Sequence, residues 1–231
     1  MAGCIAPRHS VLCYRDPNNM STRNRIATIF FLTIAISTIA FALPRTISAS
    51  DAGGLPAHAL KGSASLYLRD AASGPVRWQP WNEATFALAR RVHRPVLIDI
   101  GAVWCHWCHV MDQTTYSDRK VAAMINRYFV PIKVDTDERP DIDSYYQAAA
   151  QNFSAGGWPL TCFATPDGAP MLIAGYLPPD ASERRGMLWV LDRVKDAYAR
   201  DKNFTKFAHE VAAKVSRGDT VAGRSGDSFD Q

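Results

Sequence analysis

Beyond its first fifty residues the chain carries three cysteines only, Cys105, Cys108 and Cys162. Three cannot build the disulfide framework that holds a small secreted fold together, so the expectation is cysteine chemistry rather than stapling. Net charge is equally scarce there. The formal +4 of the 231 residues resides in the first fifty, where Arg8, Arg15, Arg23, Arg25 and Arg45 face only Asp16; the remainder balances 21 basic against 21 acidic residues. Nucleic-acid binding by bulk charge is thereby excluded. No internal repeat is present. With 47% hydrophobic and 21% charged residues, the composition excludes both a disordered chain and a multi-span membrane protein.

One long uncharged stretch does occur, IATIFFLTIAISTIAFAL at residues 26–43, eighteen residues preceded by Arg23 and Arg25. Basic residues, an apolar run and then small residues form the pattern of a secretory signal. Ala40, Phe41 and Ala42, or Ile47, Ser48 and Ala49, offer small-residue cleavage sites. Met20 opens a more ordinary leader than Met1, so translation is expected to begin there. The run also just suffices to span a bilayer, so an uncleaved anchor stands beside a cleaved signal. Either way residues 1–50 are expected to export the rest, to the periplasm or another extracytoplasmic space.

Residues 51–75, rich in Gly, Ala, Ser and Pro, read as a linker. A domain is expected over 76–215 and a disordered tail over 216–231. Helical spacing at 81–91 follows Asn82 as cap, and PVLIDIGA at 95–102 reads as a buried strand. The cysteine pair then opens a helical pattern, followed by a helix at 118–128 with Ser117 as cap. FVPIKV at 129–134 reads as a second strand, and a helix is expected at 142–150. A hairpin about Pro166, Asp167 and Gly168 joins 160–165 to 171–174. Helices at 183–200 and, capped by Asn203, at 204–215 close the domain. The order β–α–β–α–β–β–α, parallel strands first and a hairpin last, implies an α/β fold with a central mixed sheet and helices on both faces.

Trp104, Cys105, His106, Trp107, Cys108 and His109 form the most informative stretch. Two cysteines three apart, where a strand becomes a helix, can close a small disulfide ring. The first sulfur would meet the free N–H groups and positive dipole end of the helix, which favour a thiolate. His106 and His109 add positive charge or a hydrogen bond. Cys105 is therefore assigned as nucleophile and Cys108 as the residue that resolves the mixed disulfide. The same letters, CHWCH, match c-type haem attachment with His109 as axial ligand. The strand context and the bulky Trp104 and Trp107 weigh against that reading. Zinc held by Cys105, Cys108 and a histidine lacks a second ligand pair at finger spacing. No bound cofactor or metal is expected.

These residues resemble the thioredoxin superfamily: the strand VLIDI, Trp104 before the first cysteine, and Trp158-Pro159 opening the later hairpin. More narrowly, CHWCHVM (105–111), IKVDTDERPDID (132–143) and GGWPLTCFATPDGAP (156–170) resemble the thioredoxin-like domain of the DsbH-type, spermatogenesis-associated family, over residues 76–179. The resemblance implies a thioredoxin fold and thiol–disulfide exchange with other exported proteins and a redox partner protein. Members often continue into a large helical domain, from which no activity is carried over. That family usually has a small polar residue where this chain has Asp99, whereas ordinary thioredoxins carry an acid at this spacing. Asp99 is accordingly expected to accept the proton of Cys108, paired with Lys133 on the next strand. Pro159 resembles the fold's cis-proline, which would set the Trp158 backbone beside the cysteines. Trp104, Trp107 and Trp158 are expected to rim the sulfur.

The weaker candidates read blandly. Cys162 is expected to be a buried hydrophobe. Asp135, Asp137, Glu138, Asp141 and Asp143 read as a capped, solvated turn, because Pro140 and a missing glycine break the calcium-loop pattern. A non-catalytic thioredoxin-like module that binds peptide or metal remains the alternative from another class, and neither oxidase nor reductase direction is readable.

Overall fold

A computed structural model describes residues 54–180 and 186–218. The leader, residues 181–185 and the end of the tail lie outside the described residues. So do the expectations of a signal or anchor, of a helix start near Glu183, and of disorder beyond 218.

The described chain runs α1 (Leu66–Ala71), α2 (Glu83–Val92), β1 (Val96–Gly101), α3 (His106–Thr114), α4 (Arg119–Tyr128), β2 (Val130–Asp135), α5 (Pro140–Ala150), a short 3-10 turn (Gln151–Phe153), β3 (Leu160–Ala164), β4 (Pro170–Ala174), α6 (Met187–Arg200) and α7 (Lys202–Ser216). The sheet order is β2-β1-β3-β4. β1 pairs parallel with β2 and antiparallel with β3, which pairs antiparallel with β4. The parallel pair needs a crossover through α3 and α4, and the antiparallel pair needs only the turn around Gly168, whose φ of 89° suits glycine.

Alternation along the strands divides the core. Val96, Ile98 and Ile100 of β1, with Ile132 and Val134 of β2, join Phe86, Ala89, Ile142, Tyr146 and Val211 on one side. Leu97 and Phe163 join Met111, Val121, Ile125, Leu191 and Val194 on the other. Helices α2, α5 and α7 thus cover one face, and α1, α3, α4 and α6 the other. Every residue of β1 is buried, which is why that segment lacks polar–apolar alternation. Its one charged residue, Asp99, lies in register with Lys133 of β2.

Several details differ from the sequence reading. Residues 54–75 are no linker: Leu55, Leu60, Tyr67 and Leu68 are buried, and Ser65 caps α1 by accepting the Leu68 N–H. The folded unit therefore begins well before residue 76. Asp118, not Ser117, caps α4, because its carboxylate accepts the N–H groups of both Lys120 and Val121 while Ser117 Oγ donates to the Asp112 carbonyl. Asp201, not Asn203, caps α7, accepting the Asn203 N–H at 2.8 Å. Gln79 pairs with Ile132 as a one-residue bridge at the free edge of β2, protecting it.

Candidate active site

β1 ends at Gly101, and the turn 102–104 delivers Cys105 to the N-cap of α3. Cys105 and Cys108 are joined in a disulfide with Cα atoms 5.3 Å apart. Cys105 Sγ accepts the Cys108 N–H at 3.2 Å, so the sulfur fills the place an N-cap oxygen usually takes. A thiolate released there would keep that bond and face the dipole end of the helix. Cys105 is 7% exposed and Cys108 1%. Both residues are buried, and Cys105 is the more exposed of the two.

Gly101 explains how the pair fits on the sheet. A Cβ at this position would stand 2.3 Å from the Tyr67 hydroxyl and 2.7 Å from Cys108 Sγ. Only a residue without a side chain lets both approach.

Behind the cysteines lies a buried charge cluster. Lys133 Nζ donates to Asp99 Oδ2 at 2.6 Å and to Asp112 Oδ1 at 2.8 Å. The Tyr67 hydroxyl donates to Asp99 Oδ2 at 3.2 Å and the Tyr116 hydroxyl to Oδ1 at 3.1 Å. The ammonium also sits 4.3 Å from the Tyr67 ring centroid, 5.1 Å from Trp78 and 5.5 Å from Tyr116, within cation–π range. Burial alone would lower the Lys133 pKa, but Asp99, with Tyr67 and Asp112, outweighs it and holds the ammonium well above its usual range. Burial first, then Asp99, pushes the Tyr67 and Tyr116 phenols well up. Burial also raises the Asp112 carboxyl, against the pull of Lys133.

The front of the site is aromatic. Trp104 and Trp107 are each 56% exposed and Trp158 39%. Trp104 and Trp158 meet edge to face with centroids 5.3 Å apart, and Trp107 lies 5.5 Å from Tyr176 and from His106. The acidic segment holds the rings of Trp104 and Trp158. Asp137, Glu138 and Asp141 are exposed as a solvated turn requires, but Asp135 and Asp143 are buried. Asp137 accepts the Trp104 indole N–H at 3.0 Å. Asp143, buried, accepts from the Trp158 indole at 3.1 Å, from Thr136 Oγ1 at 2.6 Å and from Gln147 Nε2 at 3.2 Å. Asp135, also buried, accepts from Ser65 Oγ at 2.5 Å. Gln147 clasps the backbone of Gly157, its Nε2 donating to the carbonyl and its Oε1 accepting from the N–H, both at 3.1 Å. The Trp158-Pro159 bond that follows is cis.

His106 is exposed beside Trp107. His109 Nε2 lies 2.6 Å from the Val103 carbonyl and so bridges the turn to the helix. Cys162 is free and buried, its thiol pushed well up by burial. Among the described residues no group of three His, Cys, Asp or Glu side chains is placed to hold a metal ion. Sequence reasoning missed Tyr67, Asp112, Tyr116 and Trp78. The readable signal was Ser65 followed by Leu66, Tyr67 and Leu68, a capped apolar cluster inside the supposed linker.

A CxxC disulfide at the strand-to-helix junction of a β2-β1-β3-β4 sheet, with a cis-proline opening β3, defines a thioredoxin-fold protein with a dithiol site. Residues 57–216 match the family Thioredox_DsbH, described as "Protein of unknown function, DUF255", and the chain belongs to that family. Human spermatogenesis-associated protein 20 is 36% identical over 141 residues, which make up 60% of this chain and 18% of that protein. The chain thus spans less than a fifth of that relative. The thiol:disulfide interchange protein DsbD of Campylobacter jejuni is 26% identical over 87 residues, 38% of this chain and 15% of that protein. Among solved structures, a DsbH oxidoreductase covers 54% of this chain and 85% of its own at 16% identity and a TM-score of 0.41. The family and the Cys105–Cys108 pair together support a thiol–disulfide redox function.

Proposed function

We propose that the protein is an exported thiol–disulfide oxidoreductase that exchanges its Cys105–Cys108 pair with cysteines of other exported proteins and is recharged by a redox partner protein. The observation that carries this reading is the asymmetry of the disulfide: Cys105, the more reachable sulfur, caps a helix, while Cys108 is sealed behind it. Cys105 attacks or is attacked, Cys108 resolves, and no cofactor enters the exchange. The exposed rings of Trp104, Trp107 and Trp158 supply an apolar surface for an extended substrate segment. Export rests on the apolar run 26–43 behind Arg23 and Arg25.

Equilibration of the protein with glutathione buffers, followed by thiol trapping, tests the reading. A reversible two-electron transition at about −270 to −120 mV is expected, the range from thioredoxin to DsbA. Its position separates a reductase from an oxidase. Cys105→Ser should abolish turnover. A pair that never opens in any buffer would sink the proposal and favour a binding module.

A further inference from the structure

A buried resolving cysteine needs somewhere to send its proton. Cys108 Sγ lies over Gly101, and Asp99 is two residues back on the same face of β1. Two strand residues span about 7 Å, well beyond a hydrogen bond. The Tyr67 hydroxyl lies beside both groups. It stands against the same vacant Gly101 position as Cys108 Sγ and donates to Asp99 Oδ2.

We propose that Tyr67 relays the proton between Cys108 and Asp99, and that Lys133 and Asp112 carry it on to solvent behind the site, away from the tryptophan rim. The inference rests on the oxidoreductase reading and deepens it.

In the resolving step the Cys108 S–H proton passes to the Tyr67 oxygen as the Tyr67 proton passes to Asp99. The sulfur's electron pair forms the Cys105–Cys108 bond. The bond between Cys105 and the substrate sulfur breaks, and its pair leaves on that sulfur as thiolate. The substrate disulfide gains two electrons and the dithiol loses them. Asp99 then hands a proton to Lys133 as Lys133 gives one to Asp112. The Asp112 side chain is 25% exposed, and it lines a cleft of about 360 Å³ together with His109, Tyr116 and Trp78.

The titratable groups around the route take part or are engaged, save Asp70, which is exposed and lines the same cleft. Tyr67 comes from α1, Asp99 from β1, Asp112 and His109 from α3, Tyr116 from the turn after it, and Lys133 from β2. Tyr116 reaches the other carboxylate oxygen of Asp99, and His109 is turned to the Val103 carbonyl. A phenol held well above its usual pKa stays protonated while it relays.

The test is stopped-flow reaction of the reduced full chain, with Cys4→Ser and Cys13→Ser, against an aromatic disulfide whose thiolate absorbs. Attack by Cys105 releases a first thiolate and resolution by Cys108 a second. Tyr67→Phe should slow the second phase about tenfold or more at neutral pH, displace its pH profile upward and leave the first phase within about twofold. Tyr116→Phe removes a bond to the same carboxylate and should slow the second phase less. Equal effects of the two variants would overturn the relay while leaving the oxidoreductase reading intact. No second phase in the wild type would overturn both. Were Tyr67→Phe unable to fold, the wild-type second phase in H2O–D2O mixtures decides. A curved dependence, marking two protons moving together, supports the relay, and a linear one overturns it.

Discussion

Lys133 Nζ lies 2.6 Å from Asp99 Oδ2 where β2 pairs with β1, with side-chain exposures of 0% and 1%. Strand register alone makes them neighbours, and the rings of Tyr67, Trp78 and Tyr116 close over the ammonium. Such a pair is a poor source of net stability, because desolvation offsets the attraction. It is a strong constraint on which substitutions the core tolerates.

Lys133→Met should therefore destabilise the oxidised domain by about 3–5 kcal/mol, since it strands Asp99 uncompensated in the core. Asp99→Leu should do likewise to Lys133, moderated by Asp112. The double variant should cost clearly less than the sum of the two. Urea unfolding of all four proteins forms the cycle, and strictly additive costs would show the pair to be uncoupled.

This pair and the cysteines were within reach of sequence reasoning because they sit on or beside recognisable strands and because thioredoxins carry an acid at the spacing of Asp99. Asp99 and Lys133 sit at matching places in two recognisable apolar strands, and Cys105 and Cys108 follow the first strand directly. The remainder of the cluster depends on tertiary placement. Tyr67 belongs to a six-residue helix, too short to display a period, in a segment whose small residues resemble a linker. Asp112 reaches Lys133 through the packing of α3 on the sheet, which no local pattern encodes. Composition misled on part of the acidic segment too, since Asp135, Asp137 and Asp143 accept from Ser65, Trp104 and Trp158, which the fold brings from elsewhere.

Gly101→Ala should be costly although its backbone is ordinary. The added methyl would meet the Tyr67 hydroxyl at 2.3 Å, Cys108 Sγ at 2.7 Å and Tyr67 Cζ at 2.9 Å. Overpacking of this kind costs about 1–3 kcal/mol. Adding Tyr67→Phe removes only the first contact, so it should recover part of the loss, as measured by denaturant midpoints. Full recovery would mean that the sulfur and the ring yield freely.

Clasping of Gly157 by Gln147 should be visible in amide exchange. Gln147→Ala removes the acceptor of the Gly157 N–H and the donor to its carbonyl. One such bond is worth about 1 kcal/mol, so exchange at Gly157 should quicken about fivefold while the amides of β1 stay unchanged. Uniform acceleration would instead indicate global destabilisation.

Alkaline pH probes the cluster from the other side. The folded pKa values of Lys133, Tyr67 and Tyr116 all lie above their unfolded ones. Above pH ~10 the unfolded chain sheds these protons while the folded domain keeps them, so stability is intact below that point and falls as pH rises through the folded values. Each group adds a slope of about 1.4 kcal/mol per pH unit. Tyr146 and Cys162, also raised, add to the same fall, so the informative quantity is the difference from wild type. Tyr116→Phe should reduce the slope of unfolding free energy between about pH 10 and 11 by one proton's worth. An unchanged slope would mean that the Tyr116 phenol ionises as readily in the fold as in water, contrary to its burial against Asp99.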